Sequence, residues 1–195
     1  MPNALSSVAV FCGSRFGNDP ACGMAAELIG RGLAEAGIRL IYGGGKVGLM
    51  GMLADAALAA GGRVSGIIPH FLQSREVMHA GVEDLTVTDS MHSRKQKMFS
   101  EADAFLVLPG GLGTFDEFFE ILTWRQLRLH DKPILIVDVN GWARRLIETI
   151  DTAIADGFAD PSARALFEHV PDAAAALARL AVLGRSTHAG DAAML

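Results

Sequence analysis

The chain has 195 residues, half of them hydrophobic and 20% charged, with a net charge of −5. Those figures suit a soluble globular protein with a full core, and they exclude broad electrostatic attraction to nucleic acid or an anionic membrane. Two cysteines without zinc or Cys-x-x-Cys spacing point to a reducing, cytoplasmic setting, and neither a signal-peptide pattern nor an apolar run of membrane-spanning length is found.

Residues 8–12 form an apolar run that ends in Gly13, Ser14 and Arg15, the pattern of a buried strand and its turn. Residues 20–36 follow helical spacing, with Asp19 as N-cap, Pro20 at the first position and Gly37 as the stop. A second strand, 39–42, runs into Gly43, Gly44 and Gly45, and a helix over about 47–60 closes at Gly61 and Gly62. Residues 63–68 predict a third strand ended by Pro69, 85–88 a short fourth strand, 91–101 a basic helix and 103–108 a fifth, buried strand. A helix over 115–129, a strand over 133–139, a helix over 142–155 and an alanine-rich helical remainder complete the chain. Such alternation predicts an α/β fold: a Rossmann-like open parallel sheet with helices on both faces. Residues 1–185 are expected to form a single nucleotide-binding domain and 186–195 a loosely ordered tail. Ligands in these sheets bind at the carboxyl ends of the strands, where the glycine-rich turns after strands one, two and five all lie.

The fifth strand leads into Pro109-Gly-Gly-Leu-Gly-Thr-Phe-Asp-Glu117. Gly110, Gly111 and Gly113 let the backbone approach a ligand and aim N–H groups at it, and the helix start adds unpaired donors. A phosphate there needs no metal and no lysine. Asp116 and Glu117 then fall in the first turn of the predicted helix. One reading makes Thr114 the N-cap of a capping box with Glu117; the other sends Glu117 past the phosphate to a centre where positive charge develops.

Gly43-x-Gly45-x-x-Gly48 matches the dinucleotide fingerprint, but the next strand ends at Ile68 and Pro69 without the acid that would hold ribose hydroxyls. The pattern fits a tight turn facing a mononucleotide. It is not a P-loop, because Lys46 falls inside the glycine run and Leu49 follows Gly48. Arg94 and Lys95 occupy the first turns of a helix, where positive charge opposes the dipole. They are either a solvated basic face or an arginine that forks onto phosphate or ribose oxygens. Glu76 sits in the irregular stretch after Pro69 and alone is unremarkable. The six histidines form no His-x-x-x-His pair and no Gly-x-Ser-x-Gly elbow exists, so neither metal nor serine-hydrolase chemistry is expected. Phe115, Phe118, Phe119 and Leu122 recur at helical spacing and read as core.

Met91-His-x-Arg-Lys95 together with Pro109-Gly-Gly-x-Gly-Thr-x-x-Glu117 resembles the LOG ("Lonely guy") family, cytokinin riboside 5′-monophosphate phosphoribohydrolases that often carry the label of lysine decarboxylases. The likeness extends to Phe11-Cys-Gly-Ser14, Tyr42-Gly-Gly-Gly45, Val47-Gly-Leu-Met-Gly51, Ile121-Leu-Thr-Trp124 and His130-Asp-Lys-Pro133, and covers the chain to about Ser162. The resemblance implies hydrolysis of the N-glycosidic bond of an N6-substituted adenosine monophosphate, without a cofactor. It assigns catalysis to Arg94 and Glu117, and substrate contacts to Glu76, Arg94, Lys95, Gly111, Leu112, Gly113, Thr114, Phe115, Asp116, Glu117 and Thr123. Gly13, Ser14, Gly44 and Gly45 are additional candidate contacts. The chain departs from the family pattern at Arg15, where members often have a second serine, and at Asp116, where they often have Glu. A homodimer with active sites near the interface is implied as well. The competing readings are a broader purine nucleotide hydrolase acting on AMP and a non-catalytic nucleotide or pterin-cofactor carrier. No lysine stands in surroundings suited to a pyridoxal-phosphate Schiff base, which disfavours a decarboxylase.

Overall fold

Short apolar runs rich in Val, Ile, Leu and Phe, each too short to fill a helix, become strands buried on both faces. The computed structural model describes residues 5–73 and 77–192, with side chains through 184. In chain order the elements are β1 (Ser7–Phe11), α1 (Pro20–Glu35), β2 (Arg39–Tyr42), α2 (Gly48–Ala59), β3 (Val64–Pro69), β4 (Asp84–Thr88) and α3 (Met91–Glu101). There follow β5 (Ala104–Val107), α4 (Leu112–Gln126), β6 (Ile134–Val137), α5 (Trp142–Ala155), β7 (Glu168–Val170) and α6 (Ala173–Ala192). The strands form one seven-stranded sheet in the order β4-β3-β2-β1-β5-β6-β7, and every pairing is parallel. The Rossmann-like α/β expectation is thereby met, with the edge strand β7 added to the six foreseen.

Alternation along the strands divides the core in two. Val8, Val10, Leu40, Tyr42, Leu106 and Leu135 pack against α1, α2 and α6 through Ile29, Leu33, Leu53 and Leu180. Ala9, Phe11, Ile41, Phe105, Val107 and Ile136 face the other way, against Met98 of α3, Phe118, Ile121 and Leu122 of α4, and Leu146 and Ile150 of α5. No helix among the described residues is long and apolar enough to cross a membrane.

The chain winds outward from β1 to β4, then returns to the other side of β1 with β5. The turns after β1 and β5 therefore diverge and leave a crevice between them at the carboxyl edge of the sheet, the topological switch point where such folds bind ligands.

Candidate active site

A cavity of about 940 Å³ opens at that crevice. Its walls are the turn after β1, the glycine turn after β5, the start of α4 and the turn after β6. The Gly13 amide donates to the Pro109 carbonyl at 3.0 Å, so the first two of these turns are fastened to each other. Gly111 and Gly113 line the cavity, and a Cβ at either would meet nothing within 4 Å, so the backbone there is open to a ligand.

α4 starts three residues earlier than its sequence pattern suggests. Its N-cap is Gly111, and no side chain caps it. Thr114 is therefore inside the first turn and buried, not the N-cap, and the proposed capping box with Glu117 does not form. Asp116 and Glu117 move out of the first turn accordingly. The Phe115 amide donates to the Gly111 carbonyl at 3.0 Å, so the helical ladder begins at the glycine turn despite the low helix propensity of Gly113. With capping removed, Glu117 is left as a carboxylate only 8% exposed that lines the cavity.

Arg94 is 5% exposed and reaches the same cavity from α3. Its Nε donates to the Ile67 carbonyl and its Nη2 to the Gly43 carbonyl, both at 3.1 Å. These carbonyls belong to the carboxyl half of β3 and to the residue directly after β2, so the sheet edge itself orients the guanidinium. The charges of Arg94 and Glu117 both act on Cys12, which also lines the cavity. Burial, and then Glu117, push the Cys12 thiol above its ordinary range, while Arg94 pulls the other way. The thiol is thus held neutral, a poor nucleophile.

The other predicted contacts divide by position. Gly13, Ser14, Leu112 and Thr114 line the cavity with Gly111, Gly113, Arg94 and Glu117. Lys95, Phe115, Asp116, Thr123, Gly44 and Gly45 lie outside its lining. Glu76 lies outside the described residues. Lys95 is bound instead to Asp116 at 3.0 Å and Glu120 at 3.2 Å. Burial works against its charge, but the two carboxylates outweigh that and hold the amine above its ordinary pKa. Phe115 stacks on Trp142 with ring centroids 5.9 Å apart. Phe118 and Leu122 are core as expected, whereas Phe119 is exposed. The fingerprint-like glycines answer to packing: a Cβ on Gly43 would lie 2.1 Å from Arg94 Nη2, and one on Gly48 2.3 Å from the Ser14 carbonyl carbon.

Asn140, Trp142 and Arg145 line the cavity without having been singled out from the sequence. The signal for them was the Asn140-Gly141 turn directly after a strong strand, at the edge where ligands bind.

A parallel sheet whose switch-point cavity joins a glycine turn and helix start to a buried arginine and glutamate defines a Rossmann-like α/β protein with a small-molecule site. The family model described as "Possible lysine decarboxylase" matches residues 50–180, and the chain belongs to that family, the LOG family. It is 47% identical over 159 residues to the cytokinin riboside 5′-monophosphate phosphoribohydrolase of Rhodococcoides fascians, covering 81% of this chain and 80% of that protein. It is 41% identical over 166 residues to the cytokinin riboside 5′-monophosphate phosphoribohydrolase LOG1 of Arabidopsis thaliana, covering 85% and 78%. The solved structure of the molybdenum cofactor carrier protein from Chlamydomonas reinhardtii matches with a TM-score of 0.68 at 19% identity, covering 92% of this chain and 98% of that one. That likeness shows the fold alone.

Proposed function

We propose that this protein hydrolyses the N-glycosidic bond of N6-substituted adenosine 5′-monophosphates, releasing the free base and ribose 5-phosphate. The observation that carries the reading is the convergence of buried Arg94 and Glu117 on one cavity with the open backbone of Gly111 and Gly113. In this reading the 5′-phosphate rests on the amides of the glycine turn and the start of α4. The sugar then lies toward Glu117. As the C1′–N bond breaks, its electron pair leaves with the base, which takes up a proton, and positive charge spreads over C1′ and O4′. The Glu117 carboxylate stabilises that charge or draws a proton from the water that attacks C1′. Arg94, fixed by two carbonyls, orients the sugar or the departing base. The relatives' activities support this assignment. Lysine decarboxylation has less support: none of the four lysines lines the cavity.

The protein acts as a homodimer in this proposal, through the exposed face of α4. Phe119 is exposed there beside Thr123, with exposed Leu127 and Leu129 just beyond the end of the helix, and Thr123 would meet ligand across the interface. Light scattering at the mass of two chains supports this, and a monomer at working concentration refutes it.

The activity is tested by chromatography of products after incubation with AMP, isopentenyladenosine monophosphate and adenosine, alongside carbon dioxide release from lysine. Free base and ribose 5-phosphate from the monophosphates are expected. Recovery of every nucleotide unchanged would overturn the reading.

A further inference from the structure

Glu117 occupies the buried end of the cavity, and a phosphate dianion brought against it would be repelled. On the proposed function, the sugar must face inward and the phosphoryl end must face the open rim. Two arginines line that rim: Arg15, on the turn after β1, and Arg145, in the first turns of α5 after β6. β1 and β6 are the two neighbours of β5 in the sheet, so these segments flank the glycine turn on either side. Both side chains are exposed, and among the described residues neither guanidinium has an ion-pair partner. The nearby acid on the rim is Asp19, and it is engaged: Oδ1 accepts from the Ala21 amide at 2.9 Å and Oδ2 from Asn140 Nδ2 at 2.8 Å. The second of these bonds ties the turn after β6 to the segment after β1, so the two arginine-bearing walls are held together with their cations unneutralised.

We infer that Arg15 and Arg145 form a two-sided cationic clamp on the 5′-phosphate, adding full charge to the neutral amide donors of the glycine turn. The inference rests on the proposed hydrolase reading and extends it to two residues. Backbone amides alone fit any small anion; two guanidinium forks select a tetrahedral dianion and bind it with charge-assisted hydrogen bonds. The clamp therefore sets the preference for a nucleoside monophosphate over its nucleoside.

The test compares Arg15→Ala, Arg145→Ala and the double variant with the parent in steady-state kinetics on AMP, with ribose 5-phosphate and free adenine as competing inhibitors. The KM for AMP and the inhibition constant of ribose 5-phosphate are expected to rise about tenfold for each arginine removed, the loss falling on KM rather than kcat. Inhibition by adenine should not move, and Arg15→Lys should recover part of the loss, which a merely structural role would not produce. Unchanged KM and unchanged ribose 5-phosphate inhibition in the double variant would overturn the clamp. If the parent hydrolyses no nucleotide, the hydrolase reading falls, and calorimetric titration with ribose 5-phosphate decides the clamp separately. Tighter binding to the parent than to the double variant supports it; equal binding, or none to the parent, overturns it.

Discussion

Position 43 has no room for a side chain because Arg94 fills the space. A Cβ there would stand 2.1 Å from Arg94 Nη2 and 2.9 Å from Met50 Sδ, while Nη2 donates to the carbonyl of the same glycine. Gly43→Ala should therefore expel the guanidinium from the cavity and mimic loss of Arg94. We expect turnover to drop about a hundredfold or more, with a stability cost of about 1–3 kcal/mol from overpacking. Kinetics and urea unfolding on one preparation read both quantities, and full activity in the alanine variant would show that Arg94 does not need its present position. Glu117→Gln keeps shape and removes charge. A fall in kcat of about 10²–10⁴-fold with an unchanged circular dichroism spectrum is expected. Turnover within about threefold of the parent in that folded variant would reduce Glu117 to a packing residue.

α3 carries Arg94 and Lys95 near its positive end, so something else must start it. Ser90 is the N-cap: its Oγ accepts from the Ser93 amide, and Ser93 Oγ accepts from the Ser90 amide, both at 3.1 Å. Ser90→Ala should cost about 1 kcal/mol and, because Arg94 lies in the next turn, lower kcat/KM as well. Thermal unfolding with parallel kinetics checks this, and an unshifted melting temperature would discount the cap. The same box marks what the sequence could and could not disclose. Thr114 and Glu117 fit the Ser/Thr-x-x-Glu pattern without forming a box, whereas the box at α3 uses serine at both places. β1, β2, β3, β5 and β6 were legible because each carries a run of buried apolar residues. β7 was not: only Val170 of its three residues is buried, and pairing with β6 makes it a strand. Arg94 and Glu117 were legible as members of two motifs. The contribution of α5 to the cavity was not, since it depends on β6 lying beside β5, which no local pattern encodes.

The whole molecule is polar along its strands. The carboxyl edge holds the cavity, and the amino edge is fastened by ionic groups: Arg39 pairs with Glu101 at 2.9 Å, and Asp103 Oδ2 accepts from the Ser6 amide and hydroxyl and the Ser7 amide at 2.8–2.9 Å. The Asp103 bonds join the approach to β5 with the start of β1, the two strands that bound the crevice at the opposite end. Burial works against the Asp103 charge, but the hydrogen bonds from Ser6 and Ser7 outweigh it and hold the carboxyl below its ordinary pKa of 3.8. The sign follows from linkage: a group more acidic in the folded state adds stability above its unfolded pKa and loses it as pH falls through the folded value. Asp103→Asn should thus lower stability at neutral pH by on the order of 1–2 kcal/mol, the worth of charged over neutral hydrogen bonds at a half-exposed site. The gap between parent and variant should then close as pH falls below the ordinary carboxylate range. Glu101 also has a lowered pKa, with burial opposing and Lys97 and Arg39 prevailing, so both proteins lose stability in acid and only their difference isolates Asp103. Urea midpoints for the pair at neutral pH and in acid supply that difference. A gap of equal size at both would mean that the Asp103 charge contributes nothing, and that the amino edge is held by its neutral hydrogen bonds and by packing.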